Sequence, residues 1–165
     1  MNNEKMQPLL SEMDKLQKRY ELSSNVGPDY FEPGMMEYLD KSYGIYNEDT
    51  KEMVLRFESR GTRYEGRTAR IESIKLGDKI VVARDKENVY NSNNFVLLDE
   101  RGRNLGNMSA TLCNALAPLY DAGEAIITDS FVSFVEPISK RSRYAKQGML
   151  FVEIHISFCE KKCDE

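Results

Sequence analysis

A strict alternation of apolar and polar side chains near the end of the chain limits the folds open to it. The apolar set is Leu150, Val152, Ile154, Ile156 and Phe158, and the residues between them are Phe151, Glu153, His155 and Ser157. A strand with one face in a core needs this period of two, because successive side chains point to opposite faces. The pattern therefore predicts a half-buried strand over residues 150–158, with His155 on its outward face.

Brief apolar segments separated by turn residues fill the chain between residue 53 and that strand. The segments are Met53–Glu58, Ala69–Ile74, Lys79–Arg84, Phe95–Leu98 and Ala125–Val135, with Gly61, Gly66, Gly77 and Gly102 between them. This spacing is typical of a small β-barrel or sandwich. One helix is expected to interrupt it after Ser109, because Leu112, Leu116 and Leu119 fall on one helical face. Asp121-Ala122-Gly123 is expected to end that helix, and Pro118 to kink or split it.

The first 50 residues have a different pattern, which predicts a helical arm. Leu9, Met13, Leu16 and Tyr20 repeat at helical spacing over about 14 residues that Pro8 can start. A second helical piece is expected around Met35, Met36 and Leu39. The arm has no core of its own, so we expect it to dock on the rest of the protein or on a second copy. The predicted units are the arm, 1–50, the β domain, 51–159, and a tail, 160–165.

The sequence contains no pattern typical of a membrane protein, a secreted protein, an enzyme or a metal-binding protein. No apolar run reaches the roughly 18 residues that span a bilayer, and Met1–Lys5 has no signal-peptide pattern, so a soluble cytoplasmic protein is expected. Phosphate-binding glycine loops, carboxylate pairs at metal spacing and nucleophile elbows are missing, which predicts no enzyme, catalytic residue or cofactor. His155, Cys159 and Cys163 give three ligands where structural zinc takes four, so no metal site is predicted.

The charge distribution is compatible with a nucleic-acid partner. The net charge is −4, yet residues 53–159 hold fifteen basic and thirteen acidic side chains. Two basic runs stand out, Arg56, Arg60, Arg63, Arg67 and Arg70 in the first, and Lys140, Arg141, Arg143 and Lys146 around Tyr144 in the second. Local patches set the field that a phosphate backbone meets. Each run can equally be a solvated strand or loop face.

The segment Arg84–Phe95 contains more asparagines than a turn requires. Tyr90 lies among Asn88, Asn91, Asn93 and Asn94, between two apolar segments. One or two Asn or Gly residues suffice to turn a hairpin, so the remainder indicates recognition. The alternative is structural: Asn88 and Asn93 can hold the turn through side-chain to backbone bonds, and Tyr64 and Tyr90 can close the ends of the barrel.

An ordered set of short motifs resembles the HIRAN domain. It comprises Arg63-Tyr64-Glu65-Gly66, Gly77-Asp78, the segment from Arg84-Asp85 through Asn88, Tyr90 and Asn93, Gly102 with Leu105-Gly106, and Leu116-Ala117-Pro118-Leu119 with Asp121-Ala122-Gly123. The resemblance covers about residues 53–158. This family occurs at the front of fork-remodelling helicase-like proteins and also alone in bacteria.

The resemblance implies a mainly β fold, a six-stranded OB-like barrel with a helical insertion. It also implies a non-catalytic module of DNA repair that binds the 3′ end of single-stranded DNA. Arg63, Tyr64 and Tyr90 would frame the terminal nucleotides, with Asn88 beside them, and Asn91 stands where the family has an aspartate that takes the 3′-hydroxyl. Asn107 falls where a histidine can lie near phosphate, and Tyr144 supplies a further aromatic ring.

A second reading of the same residues is a protein-interaction module without DNA binding. Here the amino-terminal arm and the exposed aromatic residues bind a partner or a second copy, which gives a homodimer through the arm. The sequence leaves both readings open.

Overall fold

The protein is described by a computed structural model that covers residues 3–24, 40–141 and 143–160. Three helices and seven strands lie in these ranges, together with a short 3-10 turn at Ile138–Lys140. The helices are α1 (Asn3–Ser24), α2 (Arg67–Ile71) and α3 (Ala110–Asp121). The strands are β1 (Tyr43–Asn47), β2 (Glu52–Glu58), β3 (Val81–Asp85), β4 (Asn94–Leu98), β5 (Asn104–Asn107), β6 (Ala125–Glu136) and β7 (Met149–Phe158).

The strands form two antiparallel sheets, one with the order β1-β2-β7-β6 and the other with the order β3-β4-β5. Two isolated bridges join the sheets, Arg60 with Asn107 at one side and Lys79 with Phe131 at the other. The mainly β prediction is confirmed. The closed six-stranded barrel is not found: the described residues form seven strands, and a single bridge stands at each junction between the sheets.

The strand count differs from the prediction at three places. Residues 69–74, expected as a strand, contain the end of α2 and a turn, and Ile71 and Ile74 are both buried. A spacing of three residues suits a helical turn better than an alternating strand. The strands β1 and β5 were not predicted, because each is short and has a glycine in its interior.

Close backbone contacts explain the glycines in β1 and β5. A Cβ on Gly44 would lie 2.7 Å from the Met13 carbonyl oxygen of α1, and a Cβ on Gly106 would lie 2.0 Å from Ser59 Oγ. Gly106 also has a φ of +129°, which side chains of L-residues rarely adopt. These two positions let α1 and the end of β2 approach the sheets closely.

The two long strands follow their sequence pattern. In β7 the apolar set predicted to face inward is buried, and β7 pairs with both β2 and β6 along its length. His155 lies on the outward set, as predicted, and its Nε2 is 2.7 Å from the Glu153 carboxylate. The strand predicted over residues 150–158 is therefore confirmed, and it lies between β2 and β6 in the four-stranded sheet.

The helix α3 is continuous from Ala110 to Asp121, so the predicted split at Pro118 is wrong. Pro118 lies in the last turn. Ser109 occupies the N-cap position, although its side chain makes no capping hydrogen bond, and Gly123 follows the helix with a φ of +76°. The face formed by Leu112, Leu116 and Leu119 is buried, as expected.

The helix α1 docks on its own chain. It has 22 residues where about 14 were expected, and Pro8 lies inside it and does not start it. Leu9 and Leu16 are buried against the core, α1 contacts both β1 and α3, and Lys5 Nζ lies 3.1 Å from the Glu124 carboxylate. Among the described residues, none of the helices has the length and apolar character needed to cross a membrane.

The boundary predicted at residue 50 falls in the turn between β1 and β2, whose strands pair over their whole length. Residues 43–47, assigned to the helical arm, are therefore part of the sheet. The helical piece expected around Met35, Met36 and Leu39 lies outside the described residues, as does Cys163.

Candidate nucleic-acid interface

Asparagine side chains fix the backbone of the connection between β3 and β4. Asn88 Oδ1 accepts hydrogen bonds from the backbone N–H groups of Tyr90 (3.0 Å) and Asn91 (3.1 Å). Asn91 Oδ1 accepts in turn from the N–H of Asn93 at 3.1 Å. The structural reading is thus confirmed for Asn88. It is wrong for Asn93, because the Asn93 amide donates to a side chain, that of Asn114, and not to the backbone.

The same connection is attached to α3. Asn91 Nδ2 donates to Asn114 Oδ1 at 3.0 Å, and Asn93 Nδ2 donates to the same oxygen at 3.2 Å. Asn114 is an exposed residue in the middle of α3. One carbonyl oxygen therefore holds two side chains of the hairpin, and the Asn91 carboxamide is engaged at both its ends.

Arg84 anchors the base of the hairpin. Its Nε and Nη2 each lie 2.9 Å from one oxygen of Asp121, and its Nη1 donates to the carbonyls of Ser92 and Asn94. The hydrogen bond with Asp121 raises the pKa of the guanidinium, and the bond from Arg84 lowers the pKa of the Asp121 carboxyl. A fork of this geometry restricts both the hairpin and the end of α3.

Three predicted site tyrosines are exposed. Tyr90, at the tip of the hairpin, exposes 94% of its surface, Tyr144 74% and Tyr64 61%. Tyrosine usually buries part of its ring and pairs its hydroxyl group. Exposure of a whole ring on a hydrogen-bonded loop argues against the reading in which Tyr90 closes the end of a barrel.

The loop that carries Arg63 and Tyr64 is held from behind by Arg67. Arg67 is buried, donates from Nη1 to the Gly61 carbonyl at 3.0 Å, and pairs with Glu65 at 2.9 Å. Arg63 itself is exposed and forms no ion pair with a described residue. The loop therefore presents one free guanidinium and one ring on a fixed backbone.

A chain of hydrogen bonds links the hairpin to that loop. Asp85 Oδ2 accepts from both Asn88 Nδ2 and Asn94 Nδ2, each at 3.1 Å. Asn94 Nδ2 also donates to Asn107 Oδ1 at 2.9 Å. Asn107 pairs through its backbone with Arg60, the residue before Gly61. The predicted residues Asn88 and Asn107 therefore belong to one network, and its internal bonds occupy the oxygen atoms of both side chains.

The segment that follows Tyr144 is attached to the same region by hydrogen bonds between threonine hydroxyl groups and the backbone of Gly148. Thr62 Oγ1 donates to the Gly148 carbonyl at 2.9 Å, and the Gly148 N–H donates to Thr68 Oγ1. The Arg143 guanidinium lies 4.9 Å from the centre of the Tyr144 ring and donates to its hydroxyl group at 2.7 Å. This arginine therefore stacks on a ring of its own chain.

The first basic run is only partly available to a ligand. Arg56 pairs with Glu153, Arg67 with Glu65, and Arg70 donates to the Asn104 carbonyl at 2.6 Å. Arg60 and Arg63 are exposed and have no ion-pair partner among residues 3–24, 40–141 and 143–160. Two of the five predicted arginines thus remain for an anion.

The sequence comparison decides the family. Residues 53–147 match the family model of the HIRAN domain, which is more than half of the chain. This chain belongs to the HIRAN domain family. The matched range begins in β2 and ends just before β7, so it includes the Arg63–Tyr64 loop, the asparagine hairpin, Asn107 and Tyr144 of this HIRAN domain, and it excludes α1 and β1.

Three solved structures are similar to this HIRAN-family chain. The crystal structure of the HIRAN domain of human HLTF is 22% identical, with a TM-score of 0.45 over 63% of this chain and 76% of that one. The NMR structure of the HLTF HIRAN domain in its DNA-bound conformation is 19% identical, with a TM-score of 0.43 over 72% and 80%. A crystal structure of a protein from Lactobacillus plantarum is 16% identical, with a TM-score of 0.47 over 63% and 97%. No curated protein gave a match.

Four residues that build the site were not predicted as site residues, although three of them belong to the segment Arg84–Phe95. Asp85, Asn94 and Asn114 hold the HIRAN hairpin, and Arg84 anchors its base. Asn94 offered a signal, because a polar residue at the start of an apolar strand is buried here and needs a partner. Asn114 offered none, since its partners are more than 20 residues away in the sequence.

Metal-binding groups do not cluster in the HIRAN domain or elsewhere in the described part of the chain, where no group of three or more His, Cys, Asp or Glu side chains could hold an ion. Cys113 is buried, and desolvation raises the pKa of its thiol to about 11. Its sulfur accepts from the Phe95 N–H, so the side chain packs as a core residue beneath the hairpin.

Proposed function

We propose that this chain is a non-catalytic module that binds single-stranded DNA and holds its 3′ end. The observation that carries the proposal is Tyr90, a ring 94% exposed at the tip of a hairpin whose backbone and base are hydrogen-bonded. Membership of the HIRAN domain family supports the same reading. An exposed ring on a hydrogen-bonded backbone is suited to a flat and apolar ligand, and a nucleobase is such a ligand.

Stacking gives affinity with little sequence preference. A base on an aromatic side chain contributes about 1 to 3 kcal/mol. Because the hairpin is already ordered by Asn88, Asn91 and Arg84, binding loses little conformational entropy. Tyr64, on the neighbouring loop, offers a second ring for a base or a sugar.

Arg63 is the guanidinium best suited to the phosphate between terminal nucleotides. It follows Thr62, whose hydroxyl group is bonded to Gly148, and precedes Tyr64 on the same loop. A guanidinium contacts phosphate oxygens in a fork, with two parallel N–H groups. Asn107 contributes differently, because its Oδ1 is bonded to Asn94 and only its Nδ2 remains to donate.

Asn91 is suited to the terminal 3′-hydroxyl group. Its Oδ1 accepts from Asn93 and its Nδ2 donates to Asn114, which leaves one acceptor site and one N–H for a ligand. A hydroxyl group both donates and accepts, so it can use either. A 3′-phosphate has oxygen acceptors alone at neutral pH and is bulkier, so it fits this position less well.

Binding is proposed in preference to catalysis. His155 pairs with Glu153 on the outward face of β7, away from the hydrogen-bond network of the hairpin. Among the described residues, the network consists of amides, one carboxylate, backbone groups and the thiol of Cys113, which donates to Asn94 Oδ1 at 3.9 Å. These groups can position a strand, and the thiol is unsuited to nucleophilic attack, because it is buried and desolvation raises its pKa to about 11.

The test is a titration of three labelled strands that end in a free 3′-hydroxyl, a 3′-phosphate or a hairpin-blocked end, each at low and moderate salt. We expect the tightest binding for the free 3′-hydroxyl and a marked loss for the other two. Equal affinity for the three ends would overturn end recognition and leave a general strand binder. No binding at low salt would overturn the DNA proposal.

A protein-interaction module without DNA binding is the second candidate, and a specific groove favours it. Between β3 and β6, beyond the Lys79–Phe131 bridge, lies a groove of about 560 Å³ that exposes Val81 and Ile126. Unpaired strand edges of this kind accept another strand. Light scattering of the wild type and of Ile126→Lys would test association of two copies here, and the homodimer through the arm stays a separate prediction.

A further inference from the structure

A small groove lined by basic residues lies beside the candidate interface, between α1 and the start of α3. It is lined by Glu12, Lys15 and Arg19 of α1, by Arg60, and by Ser109 and Thr111, with two leucines at its floor. Its volume of about 50 Å³ has room for one small polar group and excludes a nucleobase. The groove therefore suits a phosphate that enters from an extended strand.

The free positive charge of this groove comes from Arg19 and Arg60. Lys15 pairs with Glu12 at 3.0 Å, so the charges of Lys15 and Glu12 balance each other. Arg19 and Arg60 are both exposed, and neither forms an ion pair with another residue of the described ranges. The groove thus carries two guanidinium groups that form no ion pair within the described ranges, from parts of the chain 41 residues apart.

Arg19 and Arg60 line the same groove, and both act on the carboxyl group of Glu58 nearby. Burial raises the pKa of the Glu58 carboxyl, and so does Asp40, while Arg60, Arg141 and Arg19 each act to lower it. Arg19 and Arg60, which line the groove, are therefore both within electrostatic range of this partly buried carboxylate. An approaching phosphate meets Arg19 and Arg60 in the groove itself, whereas neither Glu58 nor Asp40 lines it.

The groove is continuous with the candidate interface. Arg60 and Asn107 form an antiparallel bridge, with backbone bonds of 2.8 and 2.9 Å in both directions. Residues directly opposite each other in such a pair have their side chains on the same face. Asn107 belongs to the hairpin network, and Ser109, two residues later, lines the groove. A strand that leaves the hairpin past Asn107 reaches Arg60 next.

We infer that this groove holds a backbone phosphate of the bound strand several nucleotides from its 3′ end, with Arg19 of α1 and Arg60 as its ligands. The inference rests on the proposed function and adds to it. The helix α1 lies outside residues 53–147, which match the family, so the interface extends beyond the HIRAN domain onto the amino-terminal helix.

The test compares Arg19→Gln with Lys18→Gln in the full chain, using strands of about three and about twelve nucleotides with a free 3′-hydroxyl. Lys18 is the matched control, since it is the preceding exposed cation of α1 and does not line the groove. We expect Arg19→Gln to weaken the long strand about three- to tenfold at low salt and to reduce the slope of log K against log salt by about 0.7. The short strand should bind Arg19→Gln as tightly as it binds the wild type. Arg60→Gln should behave like Arg19→Gln.

Three results would count against the inference. If Arg19→Gln leaves the long strand unaffected, or weakens both strands equally, or matches Lys18→Gln, α1 is not part of the interface. In each of these cases the short strand still reports on the hairpin, so the proposed function stands. Failure of the wild type to bind even the short strand overturns the proposed function, and this inference with it.

Discussion

At the scale of single residues, Asn91 determines how the terminal hydroxyl group would be recognised. Its carboxamide is bonded to Asn93 and Asn114, which fixes the direction of its free acceptor and donor sites. The carboxylate that the family resemblance implies at this position can only accept. An amide is therefore the more tolerant group, because it can also donate to a phosphate or carbonyl oxygen.

Asn91→Asp tests this difference. A carboxylate that accepts from the 3′-hydroxyl forms a charge-assisted bond, which should add about 1 kcal/mol, or roughly fivefold, to the preference over a 3′-phosphate. Asn114 can donate to the new carboxylate if its amide turns over, at the cost of the bond that its Oδ1 accepts from Asn93. The measurement is the ratio of the two dissociation constants at neutral pH. Asn93→Asp is the control, since it adds the same charge to the same hairpin, and an equal change in its ratio would assign the effect to charge alone.

Tyr90→Ala tests stacking at the tip of the hairpin. We expect a loss of about 1 to 3 kcal/mol in single-strand binding, and Tyr90→Phe should retain most of the affinity. Thermal unfolding should stay unchanged, because the ring makes little contact with the protein. Val89→Ala is the matched control, a truncation of the neighbouring exposed side chain. Unaltered affinity in folded Tyr90→Ala would remove this ring from the interface.

At the scale of elements, the sequence predicted structure well where the periodic pattern was long. The alternation around Ile154 extends over nine residues and located β7, whereas the six residues 69–74 were too few to separate a helical turn from a strand. Contacts between residues that are far apart in the sequence could not be predicted from it. The order of the motifs predicted Tyr90 and Asn91 as site residues. No local pattern shows, however, that Arg56 and Arg67 form ion pairs with carboxylates.

The anchor between the hairpin and α3 should control local stability. Arg84→Lys replaces a fork that contacts both Asp121 oxygens and two carbonyls, and one ammonium cannot reach all four. We expect the free energy of unfolding in urea to fall by about 1 to 3 kcal/mol. Arg101→Lys, at an exposed turn, should be nearly neutral. Equal stability of Arg84→Lys and the wild type would mean that the fork contributes nothing net.

The same anchor should contribute to acid sensitivity. The hydrogen bond from Arg84 lowers the pKa of Asp121 in the folded state, so the carboxylate stabilises the protein above its unfolded pKa, near about 4. That stabilisation is lost as the pH falls through the lower pKa that Asp121 has in the folded state. Unfolding measured from neutral pH downward should therefore show a steeper loss in the wild type than in Asp121→Asn. Parallel curves would contradict this assignment.

At the scale of the whole molecule, α1 and the β domain share one core. Buried side chains of α1 lie in the same apolar cluster as those of β2, β7 and α3. Gly44 lets β1 approach α1 closely, and Lys5 pairs with Glu124 just after α3. The amino-terminal helix is thus built into the fold, which is a condition for Arg19 to occupy a fixed place beside Arg60.

A pair of truncations in α1 tests whether arm and domain unfold together. Leu9 is fully buried, and Leu22, on the same helix, is 71% exposed. Leu9→Ala should reduce the free energy of unfolding by about 2 to 5 kcal/mol, because it removes apolar contacts and leaves a cavity. Leu22→Ala should change it by less than about 0.5 kcal/mol. Urea unfolding followed by tyrosine fluorescence, to which eight of the nine tyrosines contribute from outside α1, should shift for Leu9→Ala as one cooperative transition. A separate early transition seen only by circular dichroism would show that α1 melts alone, and Arg19 would then lack the fixed position that a phosphate contact requires.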